Sequence, residues 1–278
     1  MGSREIDNIP LNDLLARLAN CDQVEGLLQI GSLAQQSFNP ASDYDLVIVL
    51  RPGRAELGAA EPAEVWSEPW FVGVTEVDGR FTDLLFVTTD ALEQVLALTQ
   101  AVEPDAPLAP IIRWLQQGQL CYDRAGRLRQ AQEKVRLGEW IEPINQDSAY
   151  GAWFSINYNL AQTRRMLQSP DEIYRQTVEI RMAVYGHMDI WFGYFTMRKL
   201  AWDGDKWAVR YLNEHDPAFL TSYRQFVREN DRERKFAHYE QAAAMATLPL
   251  GGLWSRPATV SNLQSANQLW ATLIAEEK

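Results

Sequence analysis

Cysteine is scarce. The 278 residues hold two, Cys21 and Cys121, far apart and matching neither a disulfide framework nor a metal-ligand spacing, so both are expected as reduced, buried thiols. The three histidines, His187, His215 and His238, are too scattered for a zinc site. Basic charge is also short: 26 Lys and Arg stand against 37 Asp and Glu, a formal net charge of −11. Binding to DNA or RNA draws much of its affinity from Lys and Arg that neutralise phosphates, so no nucleic-acid partner is expected. A small substrate, preferably cationic, suits such a chain better. No stretch approaches the 18 uninterrupted apolar residues of a membrane span. The opening MGSREIDNIP lacks an apolar signal core, and Ile6 stands where N-myristoylation needs Ser or Thr. No membrane association is expected, and cytoplasmic residence is the default. The chain also lacks G-x4-GK-[ST], a G-x-G-x-x-G after a strand, H-E-x-x-H and G-x-S-x-G. The P-loop, dinucleotide-binding, zinc-protease and serine-hydrolase classes lose their usual support.

What the chain does have is apolar material, with 46% hydrophobic and 11% aromatic residues, enough for real cores. Its length points to two domains. The first half reads as alternating helix and strand. A helix is expected over Leu11 to Leu18, a strand over Val24 to Ile30 ending at Gly31-Ser32, a polar segment from Gln35 to Ser42, and a strand rich in β-branched residues over Tyr44 to Leu50. Residues 51–62 read as loop. Trp70 to Val77 and Arg80 to Val87 flank Asp78-Gly79, the dipeptide favoured in type I′ hairpins, and are expected to pair antiparallel. Helical periodicity begins near Ala91, with one more strand at Leu120 to Tyr122 before the turn-like DRAG of 123–126. The fold class expected is an α+β domain, with a mixed or antiparallel sheet and flanking helices, over residues 1–126. An all-α helical bundle is expected over 127–278, for acceptor binding or interface formation.

In the second half, Ser169-Pro170-Asp171-Glu172 has the form of a capping box with Pro at the first helical position. The helix it starts is expected to run to about Lys199, with Tyr174, Val178, Arg181, Tyr185, Met188, Phe192 and Phe195 on one stripe. Other helices are expected over Tyr150 to Leu167, Pro217 to Asn230, Asp231 to Met245 and Val260 to Glu276. Arg181 interrupts the apolar stripe. A long side chain reaching a carboxylate is the commoner reading; contact with an acceptor or phosphate is the other. Arg181 and His187 also fit a loose Arg-x5-His ribonuclease spacing, and the aromatics Trp153, Phe154, Tyr158, Trp191 and Tyr194 read as core.

Chemistry concentrates in IGSLAQQSFNPASDYDL, residues 30–46. A strand that ends in Gly31-Ser32 and turns into a helix presents free backbone N–H groups and a positive dipole end, to which a phosphate chain fits. Gly31 permits close backbone approach and Ser32 adds a hydroxyl donor. Asp43 and Asp45, two apart on a strand, project from the same face and repel each other unless a divalent cation lies between them. Mg²⁺ takes oxygen ligands and commonly uses one or two carboxylates plus substrate phosphates. Asp83 in GRFTDLLFV is a charge inside an apolar strand and needs a partner, either a metal or a residue such as Arg80.

Ile30-Gly31-Ser32, ten intervening residues, then Asp43-Tyr44-Asp45-Leu46, with Ala34 and Ser42 in place, resembles the signature of the DNA polymerase β-like nucleotidyltransferase superfamily. Gln36 departs from the Gly that many members carry. The chain looks most like the lincosamide and aminoglycoside antibiotic nucleotidyltransferases. The signature covers residues 30–46, and a looser likeness in element order covers about 20–126. The resemblance implies Mg²⁺, two ions in all, with ATP or another NTP as co-substrate. Gly31, Ser32 and Ser42 would meet the nucleotide, and Asp43, Asp45 and Asp83 would act as catalytic metal ligands. It also implies transfer of a nucleoside monophosphate, with pyrophosphate leaving, to a hydroxyl of a small-molecule acceptor, so a role in antibiotic resistance; some relatives build the cleft between two subunits of a homodimer. One acidic side chain would serve as general base, with Glu76, Glu139, Glu142 and Asp147 as candidates. The alternative is a regulator or antitoxin on the same fold that binds or AMPylates a protein partner.

Overall fold

In this computed structural model the residues described are 10–34, 42–51 and 70–254. The loop expected at 51–62 and the polar segment at Gln35 to Ser42 fall largely outside them, and the helix expected at Val260 to Glu276 falls wholly outside. The chain divides into two compact units, Met1–Glu142 and Pro143–Lys278.

The first unit is built on five strands. Helix α1 (Leu11–Ala19) leads to β1 (Val24–Ile30), the short helix α2 (Gly31–Ala34) and β2 (Tyr44–Leu50). Strands β3 (Trp70–Val77) and β4 (Arg80–Thr88) follow, then α3 (Thr89–Ala97), α4 (Ala109–Gln117), β5 (Gln119–Asp123) and α5 (Arg127–Arg136). The sheet order is β3-β4-β2-β1-β5. All neighbours are antiparallel except β2 and β4, which run parallel. The β3–β4 turn has φ of 53° at Asp78 and 68° at Gly79, the two positive values a type I′ turn requires. Period-two alternation gives each strand two faces. Leu28, Ile30, Val47, Val49, Leu85 and Val87 pack under α3, α4 and α5, whereas Val24, Leu27, Ile48 and Leu50 pack toward α1 through Leu15 and Leu18.

Helix α5 belongs to this unit, so packing places the division later than the 123–126 turn did. Its Leu128, Ala131 and Val135 are fully buried, and the buried Gln132 amide donates to the carbonyls of Leu115 and Gly118, both at 2.9 Å, which ties α5 to the end of α4. The Asp123 carboxylate accepts from the backbone N–H groups of Leu128 and Arg129 and so caps α5. Both cysteines are free, but Cys121 is exposed rather than buried, because β5 is an edge strand and alternation turns this position outward.

The second unit is all-helical among the described residues. It comprises α6 (Gln146–Leu167), α7 (Glu172–Tyr185), a π-helical turn (Gly186–Trp191), α8 (Phe192–Met197), α9 (Asp205–His215), α10 (Pro217–Arg228) and α11 (Arg232–Thr247). Ile156, Val178, Met182, Ile190, Phe195, Leu212, Phe219 and Tyr239 are among its buried core residues. The cap of α7 is Asp171, whose carboxylate accepts from Ile173 N at 2.9 Å. Ser169 instead accepts from Asp171 N, so Pro170 lies before the helix rather than in its first turn. The stripe predicted from Tyr174 to Phe195 does not hold as one face. The π turn adds a residue to the repeat, so Met188 is exposed while Ile190, Trp191 and Phe195 enter the core. Among the described residues no helix is long and apolar enough to cross a membrane.

Candidate active site

Three adjacent strands bring the acidic residues together. Asp43 precedes β2 and Asp45 lies within it, both half-buried, while the intervening Tyr44 is buried on the opposite face. The parallel register of β2 and β4 sets Asp45 directly beside Asp83. The antiparallel register of β1 and β2 sets Ile30, and so the start of α2, on the other side of Asp45. One carboxylate oxygen from each of Asp43, Asp45 and Asp83 lies within 4.8 Å of those of the other two. That spacing suits oxygen donors around a divalent cation, and three carboxylates are the donor set a hard ion such as Mg²⁺ takes.

Gly31 closes the other side of the cluster. Its φ is +66°, a left-handed conformation, and a Cβ placed there would stand 2.1 Å from Asp45 Oδ2. Only glycine leaves room for this carboxylate. Ser32 is half-buried in the same turn, and Ser42 is buried immediately before Asp43. The structure thus brings together all six residues singled out in the sequence.

Arg80 is the neighbour whose part was not foreseen. Its guanidinium donates to the Ser42 carbonyl at 3.2 Å and lies 5.9 Å from the centre of the Tyr44 ring, which bridges the start of β4 to the segment that carries Asp43. The D-Y-D spelling with an Arg at the start of the partner strand is a signal for this only once the strand order is known. The four candidates for general base are all exposed: Glu76 on β3, Glu139 and Glu142 after α5, and Asp147 in the first turn of α6. None belongs to the acidic cluster.

Arg181, in the second unit, is held by neighbours on α6. It donates to Thr163 Oγ1 and Asn159 Oδ1 and lies over the Tyr185 ring at 4.6 Å. Asn159 passes the contact on, donating to Asp189 Oδ2 at 2.7 Å. Burial raises the Asp189 carboxyl above its ordinary pKa, against the lowering effects of Asn159 and Arg181. The expected carboxylate contact of Arg181 therefore runs through an amide. His187 packs on Phe192, turned away from Arg181, so the Arg-x5-His spacing does not become one site.

No protein-family model matches the chain, and no curated protein matches it. Among solved structures it is similar to the crystal structure of a nucleotidyltransferase-like protein from Exiguobacterium sibiricum 255-15. Identity is 12%, the match covers 95% of this chain and 86% of that one, and the TM-score is 0.38, a likeness too loose to carry an argument.

Proposed function

We propose that the first unit is the catalytic domain of a Mg²⁺-dependent nucleotidyltransferase that moves AMP from ATP to a hydroxyl of a small-molecule acceptor. The convergence of Asp43, Asp45 and Asp83 beside the left-handed turn at Gly31 carries this reading. A single carboxylate pair occurs on many surfaces. Three on neighbouring strands, set against a glycine whose side-chain space is filled by one of them, form a site built for an ion and a close-approaching ligand.

Asp43, Asp45 and Asp83 would hold the metal, which when bound neutralises charge on the triphosphate and acidifies the acceptor hydroxyl for in-line attack at the α-phosphorus. The chain's own part is positional. Gly31 admits the phosphates close to the backbone of α2, where Ser32 offers a hydroxyl and the first N–H groups offer donors. Arg80 fixes the Ser42 carbonyl and so the approach of Asp43. The net charge of −11 favours a cationic acceptor, and an aminoglycoside or lincosamide antibiotic, rich in hydroxyls and carrying amines, has that chemistry.

The test is incubation with Mg-ATP and a panel of such antibiotics while pyrophosphate release is followed. Release that needs both an acceptor and Mg²⁺, and that disappears in Asp43→Ala, supports the proposal. Transfer of labelled AMP to protein alone would replace the small acceptor with a protein one. Absence of both Mg²⁺ binding and pyrophosphate release would overturn the reading.

A further inference from the structure

One face of α7 is apolar and exposed along its whole length. Ile173 is 72% exposed, Ile180 67%, Val184 47% and Met188, in the π turn, 59%. Their spacing places them on one stripe, displaced by one residue from the stripe that packs on α6. The contacts of Arg181 with Thr163 and Asn159, and of Asn159 with Asp189, show that α6 and α7 run antiparallel. In an antiparallel pair, positions one residue before the contact positions of either helix lie on the same side of the pair. Tyr158, one before Asn159 and 47% exposed, therefore lies beside Val184, and Phe154 lies at the level of Met188. Together they make an apolar groove between α6 and α7 on the side opposite the core, where Val178, Met182 and Leu160 are buried.

The described chain ends at the mouth of this groove. Trp254 N donates to Asn157 Oδ1, and the Trp254 ring meets the edge of Phe154, which stacks on Tyr158. Beyond it lie residues 255–278, in which Val260, Leu263, Trp270, Leu273 and Ile274 recur at helical spacing. A helix over 260–276 is about 25 Å long, and the stripe from Met188 back to Ile173 is about 22 Å. Residues 255–259 are a connection of the length usual between packed helices.

We propose that the C-terminal segment 260–276 docks in cis as an amphipathic helix in the α6–α7 groove, covering Tyr158, Ile180, Val184 and Met188. The stripe then has an occupant from the same chain whose length and starting point both fit. The function of the segment is to complete the core of the helical unit, independently of the chemistry of the first unit.

Thiol accessibility in the full chain tests this. Val184→Cys reports from inside the groove and Ala183→Cys from the exposed flank of the same helix, with alkylation read by mass spectrometry at that residue so that Cys21 and Cys121 do not interfere. The expected result is that the cysteine at 184 reacts at least tenfold more slowly than the one at 183. Leu273→Asp, added in the segment, should abolish that protection and leave the rate at 183 unchanged, with the protein monomeric throughout. Equal rates at the two positions would overturn the proposal. Protection that is lost on dilution in a dimeric protein would assign the groove to a second copy instead, and also overturn it.

Discussion

Gly31 and Asp45 share one small volume, so a methyl group at residue 31 is a sensitive probe of the site. The added Cβ would fall 2.1 Å from Asp45 Oδ2, and the φ of +66° disfavours any L side chain by roughly 1 kcal/mol. Gly31→Ala is expected to lower stability in urea by about 1–2 kcal/mol and, by displacing the carboxylate, to reduce acceptor-dependent pyrophosphate release roughly tenfold to a hundredfold. Activity and stability both unchanged would show that Asp45 moves aside without consequence. Asp189 offers a second residue-scale test. Burial outweighs Asn159 and Arg181 there, so the folded protein keeps this proton to higher pH than the unfolded chain does. The group's contribution to stability is full below the ordinary carboxylate range and declines as pH rises through the window between the ordinary and the raised values. Asp189→Asn is blind to that titration, so its stability relative to the wild type should improve as pH rises from about 4 upward. A difference that moves the other way in a pH series of denaturation curves would mean that attraction to Arg181 dominates.

At the scale of elements, the start of α7 turns on one side chain. Asp171 accepts from Ile173 N, whereas Ser169 bonds only to the residue before the helix. Asp171→Ala is expected to lower the stability of the helical unit by about 1 kcal/mol and Ser169→Ala by clearly less, measured by chemical denaturation; the reverse order would restore Ser169 as the cap. The same segment shows what sequence could and could not tell. Both residues are good caps, and only the path of the chain after Leu167 decides between them. The strands were legible because Val24–Ile30, Tyr44–Leu50 and the Asp78-Gly79 hairpin carry strong local signals of β-branching and turn chemistry. Their order was not, since parallel pairing of β2 with β4 is a long-range choice, and it alone sets Asp83 beside Asp45. Helices α5 and α9 escaped for a different reason. Each buries few apolar residues, such as Leu128, Ala131 and Val135 in one and Ala208 and Leu212 in the other, between charged positions. The π turn leaves no periodic trace at all, because it is a single interruption in an otherwise helical pattern.

At the scale of the whole molecule, each unit has its own core, and the acidic cluster lies entirely in Met1–Glu142. Three carboxylates held within 4.8 Å repel in the folded state more than in the unfolded chain, so without metal the site works against the stability of the unit that contains it. A cation bound there reverses the sign. At a hundredfold excess over its dissociation constant it adds about 2.7 kcal/mol, which for a unit of this size raises the unfolding temperature by roughly 8–10 °C. Hydrogen exchange followed during a thermal ramp, with and without Mg²⁺, separates the two units. Peptides from β1, β2 and β4 are expected to gain protection with Mg²⁺, and peptides from α6 to α11 are expected to be indifferent. Asp83→Asn removes one repelling charge at nearly constant shape, so the substituted protein should be more stable than the wild type without Mg²⁺ and should gain little when Mg²⁺ is added. If instead the wild type shows no response to Mg²⁺, or Asp83→Asn responds as strongly as the wild type, the three carboxylates are not a metal site, and the catalytic reading of the first unit falls with them.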